Sequence, residues 1–345
     1  MSKLLRAIDF WDLLLAVACM AVFIYAAVFV PNFVSGFNLS QLAASASEKA
    51  LLILPMALLI IAREIDLSIA SVLALASVIF GLAVQAGMPT FAAIPLTLLF
   101  GALLGAFNGF LVSALGLQSL VVTLGTMALY RGIGYILLGT GSVNILPPEI
   151  VDFGIDNLPG TQIPWTIVPF LFLAPVFAVV LQKTATGKRL YALGGSPEVA
   201  RYSGINTRRM VLSLFVVSGV VAAIAGIVYT ARLSNARANN ALGMELDVIT
   251  IVLLGGVSVF GGKGKLTGVM LALVLIAIIQ RAGAQPDRRR RAGHDHRPAS
   301  DRLAAGWQLL ALPGGASLKI ARLARNQGVI SGPFQQARIK RRSVQ

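Results

Sequence analysis

Three ionisable residues, Arg63, Glu64 and Asp66, interrupt an otherwise apolar stretch that covers residues 50–84. Charged groups near a lipid bilayer are costly unless they are paired or hydrated, so this cluster is a candidate functional site. One interpretation is an interfacial turn between two membrane spans, with Arg63 on the cytoplasmic side. The other is that Asp66 and Ser68 pair across helices or line a conduit.

A second polar group lies later in the chain, where Glu245 and Asp247 begin an apolar segment after the basic stretch at 232–237. Such residues can pair across helices or bind a docking protein. The favoured interpretation of Glu245 is a capping role, because a carboxylate is stabilised at a helix N-terminus.

A short helix is predicted in the polar, glycine-punctuated segment 186–205. Ser196 is a good N-cap, Pro197 suits the first helical position, Glu198 complements the helix N-terminus and Gly204 suits the C-terminal end. A helix of about two turns is marginal alone in water, so it needs a docking surface. That surface is either the membrane part of the same chain or another protein.

Several kinds of chemistry are excluded. The glycine-rich segment 255–265, GGVSVFGGKGK, has valines where a phosphate-binding loop of the form G-x-x-x-x-G-K-[ST] requires its first glycine. Cys19 is the single cysteine, and both histidines, His294 and His296, lie near the C-terminus. We therefore predict no catalytic residues, no metal site and no cofactor held by this chain, and no enzyme activity of its own.

The elements that position these residues are membrane spans. The chain is 57% hydrophobic and 12% charged, with a mean hydropathy of +0.80, far from the composition of soluble domains. Apolar stretches of a length suited to a bilayer predict an all-α, polytopic membrane protein with nine spans. They cover approximately residues 12–31, 48–62, 67–87, 91–115, 119–139, 163–182, 210–231, 246–260 and 266–280. The first is interpreted as an uncleaved helix, since it is too long for a signal-peptide core.

Orientation follows from the basic residues in short loops, which stay in the cytoplasm. Six spans separate the N-terminus from a basic loop at 183–209, which places both on the cytoplasmic side. The segment 141–163 is acidic and has no Lys or Arg, so it is predicted to be periplasmic. The basic residues are Lys3 and Arg6 at the N-terminus and Lys183, Lys188, Arg189, Arg201, Arg208 and Arg209 in the loop.

Small residues recur inside one span, where Gly101, Gly105 and Gly109 are four apart and share one helix face. That spacing permits close helix contact. Ordinary tight packing is favoured over a direct role in transport.

The net charge of +15 is unevenly distributed. Residues 1–280 contain 15 basic and 11 acidic residues, whereas residues 281–345 contain 14 basic and 3 acidic ones. The chain therefore divides into a transmembrane domain, 1–280, and a basic tail, 281–345, that includes the uninterrupted run Arg288 to Arg291.

Five short motifs occur in order along the chain. Glu198-Val199-Ala200 with Gly204 resembles the E-A-A-x-x-x-G signature of ABC importer permeases, with Val in place of the first Ala. The others are Ile65-Asp66-Leu67-Ser68, Asn108 to Val112, Thr123 to Met127 with Arg131-Gly132, and Glu245-Leu246-Asp247 with the later glycine pairs. Over roughly residues 10–280 the sequence resembles permeases of the monosaccharide importer family, of the ribose, rhamnose and autoinducer-2 type.

The resemblance implies a translocation subunit in the bacterial inner membrane that works by alternating access. Its short cytoplasmic helix would insert into a cleft on a separate ATP-binding subunit, which holds the ATP and magnesium. Further implied partners are a second permease chain, a periplasmic sugar-binding protein and membrane lipid, but not nucleic acid. The coupling residues implied are Ser196, Pro197, Glu198, Val199, Ala200 and Gly204, and the translocation path would include Asp66, Ser68, Asn108, Thr123 and Thr126.

The run LVVTLGTMALYRGIGYILLG at 120–139 looks closest to the rhamnose and autoinducer-2 members, although Gln118 stands where a proline is expected. A rhamnose-like monosaccharide is the expected solute, with autoinducer 2, ribose and xylose as alternatives. Two other classes remain open, a secondary transporter and a membrane-embedded enzyme. A secondary transporter would have intramembrane ionisable residues and often an internal repeat, and the sequence has neither apart from the cluster at 63–66. An enzyme would need a catalytic constellation, and the spans contain no pairs of His or Cys.

Members of this family have ten spans, and the tenth is entered through a G-G-D-A-Q-G stretch. Read one nucleotide later, the codons of residues 287–302 permit IGGDAQGMIIGLLLIA. We therefore hypothesise that a frameshift near Gln280 replaced the last span with an out-of-frame, disordered tail. The rival interpretation is a genuine basic tail that binds anionic lipid or nucleic acid.

Overall fold

The computed structural model describes residues 10–284, and all the elements in that range are helices, which confirms the all-α prediction. The twelve α-helices are α1 Phe10–Phe29, α2 Gly36–Ile61, α3 Ile69–Gln85, α4 Thr90–Ser113, α5 Ser119–Leu138, α6 Pro148–Ile155, α7 Val168–Lys183, α8 Ala185–Gly195, α9 Pro197–Tyr202, α10 Thr207–Leu233, α11 Met244–Leu254 and α12 Leu266–Ala284. A 3₁₀ turn at Trp165–Ile167 leads into α7.

Within the described residues, seven helices are long and apolar enough to cross a membrane. They are α1, α2, α4, α5, α7 with its preceding turn, α10 and α12. Helix α3 has 17 residues and α11 only 11. Each of the nine predicted spans coincides with a helix, and the polytopic architecture is confirmed, but the count of nine is not.

The second predicted span, 48–62, was wrong at its start, because α2 begins twelve residues earlier, at Gly36. Its first half contains several serines together with Glu48 and Lys49, so it does not read as a membrane span. In the structure these two charges form ion pairs with residues on other helices. The polar half of α2 is therefore stabilised by its neighbours and continues the helix across the bundle.

The core is built around α10, which packs against α2, α3 and α4. The second half of α2, residues 50–61, is apolar all round and almost fully buried. A helix with no polar face is expected in the interior of a membrane bundle.

Helices α4 and α10 meet along the predicted glycine face. A Cβ atom added to Gly101 would lie 2.5 Å from the Gly219 carbonyl oxygen, and one on Gly109 would lie 3.0 Å from Leu212. Gly105 is in even closer contact with the Phe215 backbone. The prediction of close helix contact is confirmed, since no side chain could be accommodated there without a shift.

The bundle has two ends, which we name after the short helices that lie there. Helix α7 alone connects α6 to α8, so α6 and α8 lie at opposite ends. The segment 186–205, predicted as a loop with one short helix, also contains α8, whose N-cap Thr184 accepts a hydrogen bond from the Gly187 N–H. The polar residues and glycines of that segment favoured a loop. In the structure, packing on α2 and α7 stabilises α8 as a helix.

Several predictions fall outside the described residues and stay predictions. They concern Lys3 and Arg6, the basic tail from residue 285 onward with its two histidines, and the frameshift at 287–302. The domain boundary at residue 280 also stays a prediction, although this residue is described and α12 continues to Ala284.

Candidate functional site

Asp66 lies in the turn between α2 and α3 and is almost fully buried. Its Oδ1 atom accepts hydrogen bonds from the Ser68 N–H at 3.0 Å and the Ser68 hydroxyl at 2.6 Å. Its Oδ2 atom accepts one from the Ser218 hydroxyl of α10 at 2.9 Å. Both carboxylate oxygens are thus satisfied, one of them across helices.

The network extends from Ser68 into α4 and α5. The Asn108 amide donates to Ser68 Oγ at 2.8 Å, and the Tyr130 hydroxyl lies 3.1 Å from Asn108 Oδ1 and 2.9 Å from the Leu104 carbonyl oxygen. Sequence reasoning missed Ser218 and Tyr130, because a single polar side chain in an apolar helix has no local pattern. We call Asp66, Ser68, Asn108, Tyr130 and Ser218 the buried network.

Thr123 and Thr126 lie nearby on α5, and Thr123 contacts the turn before Asp66. The Thr123 hydroxyl is 3.1 Å from the Ile65 carbonyl oxygen, and the Ile65 N–H donates to Ser119 Oγ at 3.2 Å. Thr126 contacts the Thr123 carbonyl oxygen at 3.4 Å. Both threonines are buried, as are Asp66, Ser68 and Asn108. Their predicted place on a translocation path stays a prediction; in this conformation these side chains make contacts inside the protein.

A second polar region lies halfway through the bundle, around the irregular segment 234–243 that joins α10 to α11. The Asn240 amide donates to the hydroxyl of Ser77, the middle residue of α3, at 3.1 Å. Arg131 of α5 donates to the carbonyl oxygens of Ala238 at 3.0 Å and Asn240 at 2.6 Å. Non-helical backbone at membrane depth needs such protein partners, since lipid offers none. The segment therefore turns back from the α6 end into the bundle.

Helix α11 is consequently a half-span. Its 11 residues cover about 16 Å at 1.5 Å per residue, roughly half of a ~30 Å hydrocarbon core. The loop after it reaches the α8 end, where the Gly262 N–H donates to the carbonyl oxygen of Ile61, the last residue of α2, at 2.8 Å. The N-terminus of α11 thus lies near mid-depth.

Two ion pairs lie at this depth. Lys49 Nζ, midway along α2, lies 2.6 Å from Asp247 Oδ2 of α11 and 2.8 Å from Gln280 Oε1 of α12. Glu48, which is fully buried, pairs with Arg232 Nε at 2.5 Å. Sequence reasoning did not single out Glu48 or Lys49, because their partners lie about 180 to 200 residues away in the chain.

Glu245 and Asp247 both lie in the first turn of α11, after the N-cap Gly243. Glu245 is buried, and its Oε2 atom has no hydrogen-bond partner within residues 10–284. Asp247 pairs across helices with Lys49, with 43% of its side chain exposed. The two acidic residues thus have different environments. Of the two, Asp247 makes the cross-helix ion pair.

The predicted short helix is present as α9. Ser196 caps it by accepting a hydrogen bond from the Val199 N–H at 3.4 Å, and Gly204 just after it has a φ of +80°, which favours glycine. Ala200 is buried against the bundle, whereas Val199 and Tyr202 are 63% and 92% exposed. The helix therefore turns apolar side chains away from its own chain.

Helix α8 connects α9 to the core of the bundle. The Tyr191 hydroxyl donates to the Gly264 carbonyl oxygen at 2.7 Å, and burial raises the pKa of this phenol. A Cβ atom on Gly194 would lie 2.5 Å from the Gly262 nitrogen, and the Ile61 carbonyl oxygen is closer still. A displacement of α9 would thus reach the end of α2 through α8 and the loop before α12.

The chain is similar to known transport proteins. It is 35% identical over 234 residues to the autoinducer 2 import system permease protein LsrD of Yersinia pseudotuberculosis serotype O:1b (strain IP 31758), covering 66% of this chain and 70% of the relative. The proteins of the same name from Yersinia enterocolitica serotype O:8 and Yersinia pestis (strain Pestoides F) match to the same extent. No solved structure matches the chain.

A family model also matches residues 38–287, more than half of the chain, and is described as the permease component of the branched-chain amino acid transport system. The match covers the buried network, both mid-depth ion pairs and helices α8 and α9. The chain therefore belongs to this family of permease components.

Proposed function

We propose that this chain is the permease subunit of an ATP-binding-cassette importer, and that α9 transmits the work of a separate ATP-binding subunit. The observation that carries the proposal is the arrangement of α9, which is anchored by Ala200 while Val199 and Tyr202 project outward. Apolar side chains exposed on a short helix outside the membrane spans favour a protein partner. In this proposal ATP and magnesium belong to that partner.

The α8 end is then cytoplasmic and the α6 end periplasmic, which agrees with the basic residues near α8 and α9 and with the acidic α6 segment. The N-terminus is on the cytoplasmic side in this orientation. A second permease chain and a periplasmic solute-binding protein complete the proposed importer. The solute crosses by alternating access, a two-state change biased by nucleotide and by the loaded binding protein.

The proposed solute is a small, hydroxylated molecule. A rhamnose-like monosaccharide is supported by the motif run on α5, and autoinducer 2 is supported by the similarity to autoinducer 2 import permeases. Competition between labelled L-rhamnose and autoinducer 2 for uptake by the complete transporter distinguishes them.

The coupling proposal is tested by co-expression and co-purification of the full chain with the ATP-binding subunit of a sugar importer from the same organism. Val199→Asp combined with Tyr202→Asp places charges on the proposed contact, and we expect recovery of the ATP-binding subunit to fall at least about tenfold, as for loss of interface anchors. The control is Ile145→Asp, because Ile145 is 83% exposed and lies just before α6, at the end of the bundle opposite α9. Equal recovery from both variants, or none with the unmodified chain, contradicts the proposal.

A further inference from the structure

Asp247 has an environment that a lipid-facing surface does not provide. Its side chain is 43% exposed although α11 begins near mid-depth, and the neighbouring Leu246 and Leu242 are 62% and 75% exposed. A carboxylate exposed to hydrocarbon is costly, and ionisable residues at this depth face a bundle interior or a water-filled cavity. The surface around Asp247 is therefore a poor lipid surface.

The cavity beside this face has a volume of about 480 Å³, within the ~300–1,000 Å³ range of small-molecule sites. Its lining combines the Lys49–Asp247 ion pair with an aromatic ring and an amide, and the remainder is backbone and aliphatic. The polar and aromatic lining residues are Lys49, Tyr229, Asn239 and Asp247.

We propose that this face of α11, with Lys49 and Asp247, lines the aqueous conduit and forms a mid-depth binding station for an uncharged, hydroxylated solute. The proposal rests on the proposed function, which supplies the transport step, and it assigns that step to residues outside the five predicted path residues. We call Lys49, Tyr229, Asn239 and Asp247 the conduit station.

The chemistry of the station favours a neutral polyol. The carboxylate can accept hydrogen bonds from hydroxyl groups, the ammonium and amide can donate them, and the tyrosine ring offers an apolar surface to C–H groups. Lys49 and Asp247 neutralise each other, and among residues 10–284 no other charged side chain lines this cavity. A station whose two charges cancel has no net charge to attract an ionic solute.

The location also suits a transport step. The half-span N-terminus, the irregular segment 234–243 and the ion pair meet near mid-depth, where discontinuous helices form substrate sites in transporters. Gln280 of α12 contacts both partners of the pair, at 2.8 Å to Lys49 and 3.4 Å to Asp247. The pair is therefore held by three helices, and movement of any of them changes its accessibility.

Water accessibility tests the conduit part independently of the solute. The chain has one cysteine, Cys19, so a Cys19→Ala background permits single cysteines to be labelled in intact membranes by a charged, water-soluble methanethiosulfonate. We compare Leu246→Cys with Leu103→Cys, since these leucines are 62% and 55% exposed and Leu103 lies midway along α4. We expect labelling at 246 and none at 103. Labelling at 246 no faster than at 103, as expected for lipid or for a second copy covering this face, overturns the conduit assignment.

Uptake tests the station. In the full chain assembled with its ATP-binding subunit and binding protein, the probes are labelled L-rhamnose, autoinducer 2 and L-leucine. We expect Asp247→Leu to lower uptake of the hydroxylated probe at least about tenfold, since it removes hydrogen bonds to solute hydroxyls. Asp247→Glu restores part of it, and labelling at 246 is unchanged.

If the Asp247→Leu variant takes up the hydroxylated probe as fast as the unmodified chain, or if leucine is the only probe taken up, the assigned ligand class is overturned. Failure of the unmodified chain to recover an ATP-binding subunit, with residue 246 still labelled, contradicts the proposed ATP coupling but leaves the conduit face standing. The two proposals therefore fail in different measurements.

Discussion

The molecule contains two polar regions of similar chemistry and opposite accessibility. In the buried network, the Asp66 carboxylate accepts three hydrogen bonds from Ser68 and Ser218 and is 3% exposed. In the conduit station, the Asp247 carboxylate pairs with Lys49 and is 43% exposed. Each carboxylate belongs to a motif that sequence reasoning singled out, but the two differ in burial and in their partners.

The difference indicates two uses of an acidic residue in a membrane protein. A carboxylate whose oxygens are both satisfied by the protein fixes helix positions, since each removed partner leaves a buried group unpaired. A carboxylate with an open side can exchange partners with water or a solute. We therefore expect variants of the buried network to affect stability first, and variants of the station to affect uptake first.

The largest effect on stability is expected from Asp66→Ala. This change leaves the Ser68 and Ser218 hydroxyls without their acceptor, and we expect the free energy of unfolding to fall by about 2–4 kcal/mol. Thermal unfolding in detergent measures it, with uptake and ATPase coupling measured beside it. Asp152→Ala, at an exposed site on α6, is the control. If Asp66→Ala kept the wild-type melting temperature and lost only uptake, Asp66 would belong to the translocation path.

A smaller effect is expected from breaking the ion pair. Lys49→Met or Asp247→Leu alone leaves one charge without its partner, and we expect each to cost about 1–3 kcal/mol, less than for a fully buried pair. The double variant removes both charges and should be more stable than the sum of the two losses predicts. Unfolding of all four proteins gives the coupling energy. Strictly additive losses would mean that the pair contributes no mutual stabilisation.

The smallest effect is expected from Tyr130→Phe. It removes the hydroxyl that contacts Asn108 and the Leu104 carbonyl oxygen but keeps the ring, so the cost should be about 0.5–1.5 kcal/mol. Uptake should be unchanged once expression is matched. Tyr135→Phe, at a 43% exposed position on the same helix, is the matched control. A selective loss of uptake in Tyr130→Phe would place the buried network on the solute's route.

Much of the architecture could be predicted from local pattern. Apolar length located a helix at each of the nine predicted positions, and Ser196, Pro197 and Gly204 located α9, because caps act within one helical turn. The start of α2 could not be predicted in this way. Glu48 and Lys49 read as polar interruptions until partners about 180 to 200 residues away neutralise them.

The candidate site divides in the same manner. The motifs pointed to Asp66 and Asp247, but neither Lys49 nor Ser218 has a local signal, since each matters only through a contact with a distant helix. The sequence motifs also did not indicate which carboxylate is buried and which is exposed. That distinction depends on helix rotation and on the depth at which α11 begins.

By itself the sequence determined that this chain is an all-α membrane protein of the permease type, with a capped helix outside the membrane spans, because hydropathy and capping are local properties. The tertiary structure decided that Asp66 is enclosed by α2, α4 and α10 while Asp247 faces a cavity beside a half-span. Burial and pairing are set by residues far apart in the chain, so they exist only once the helices have packed.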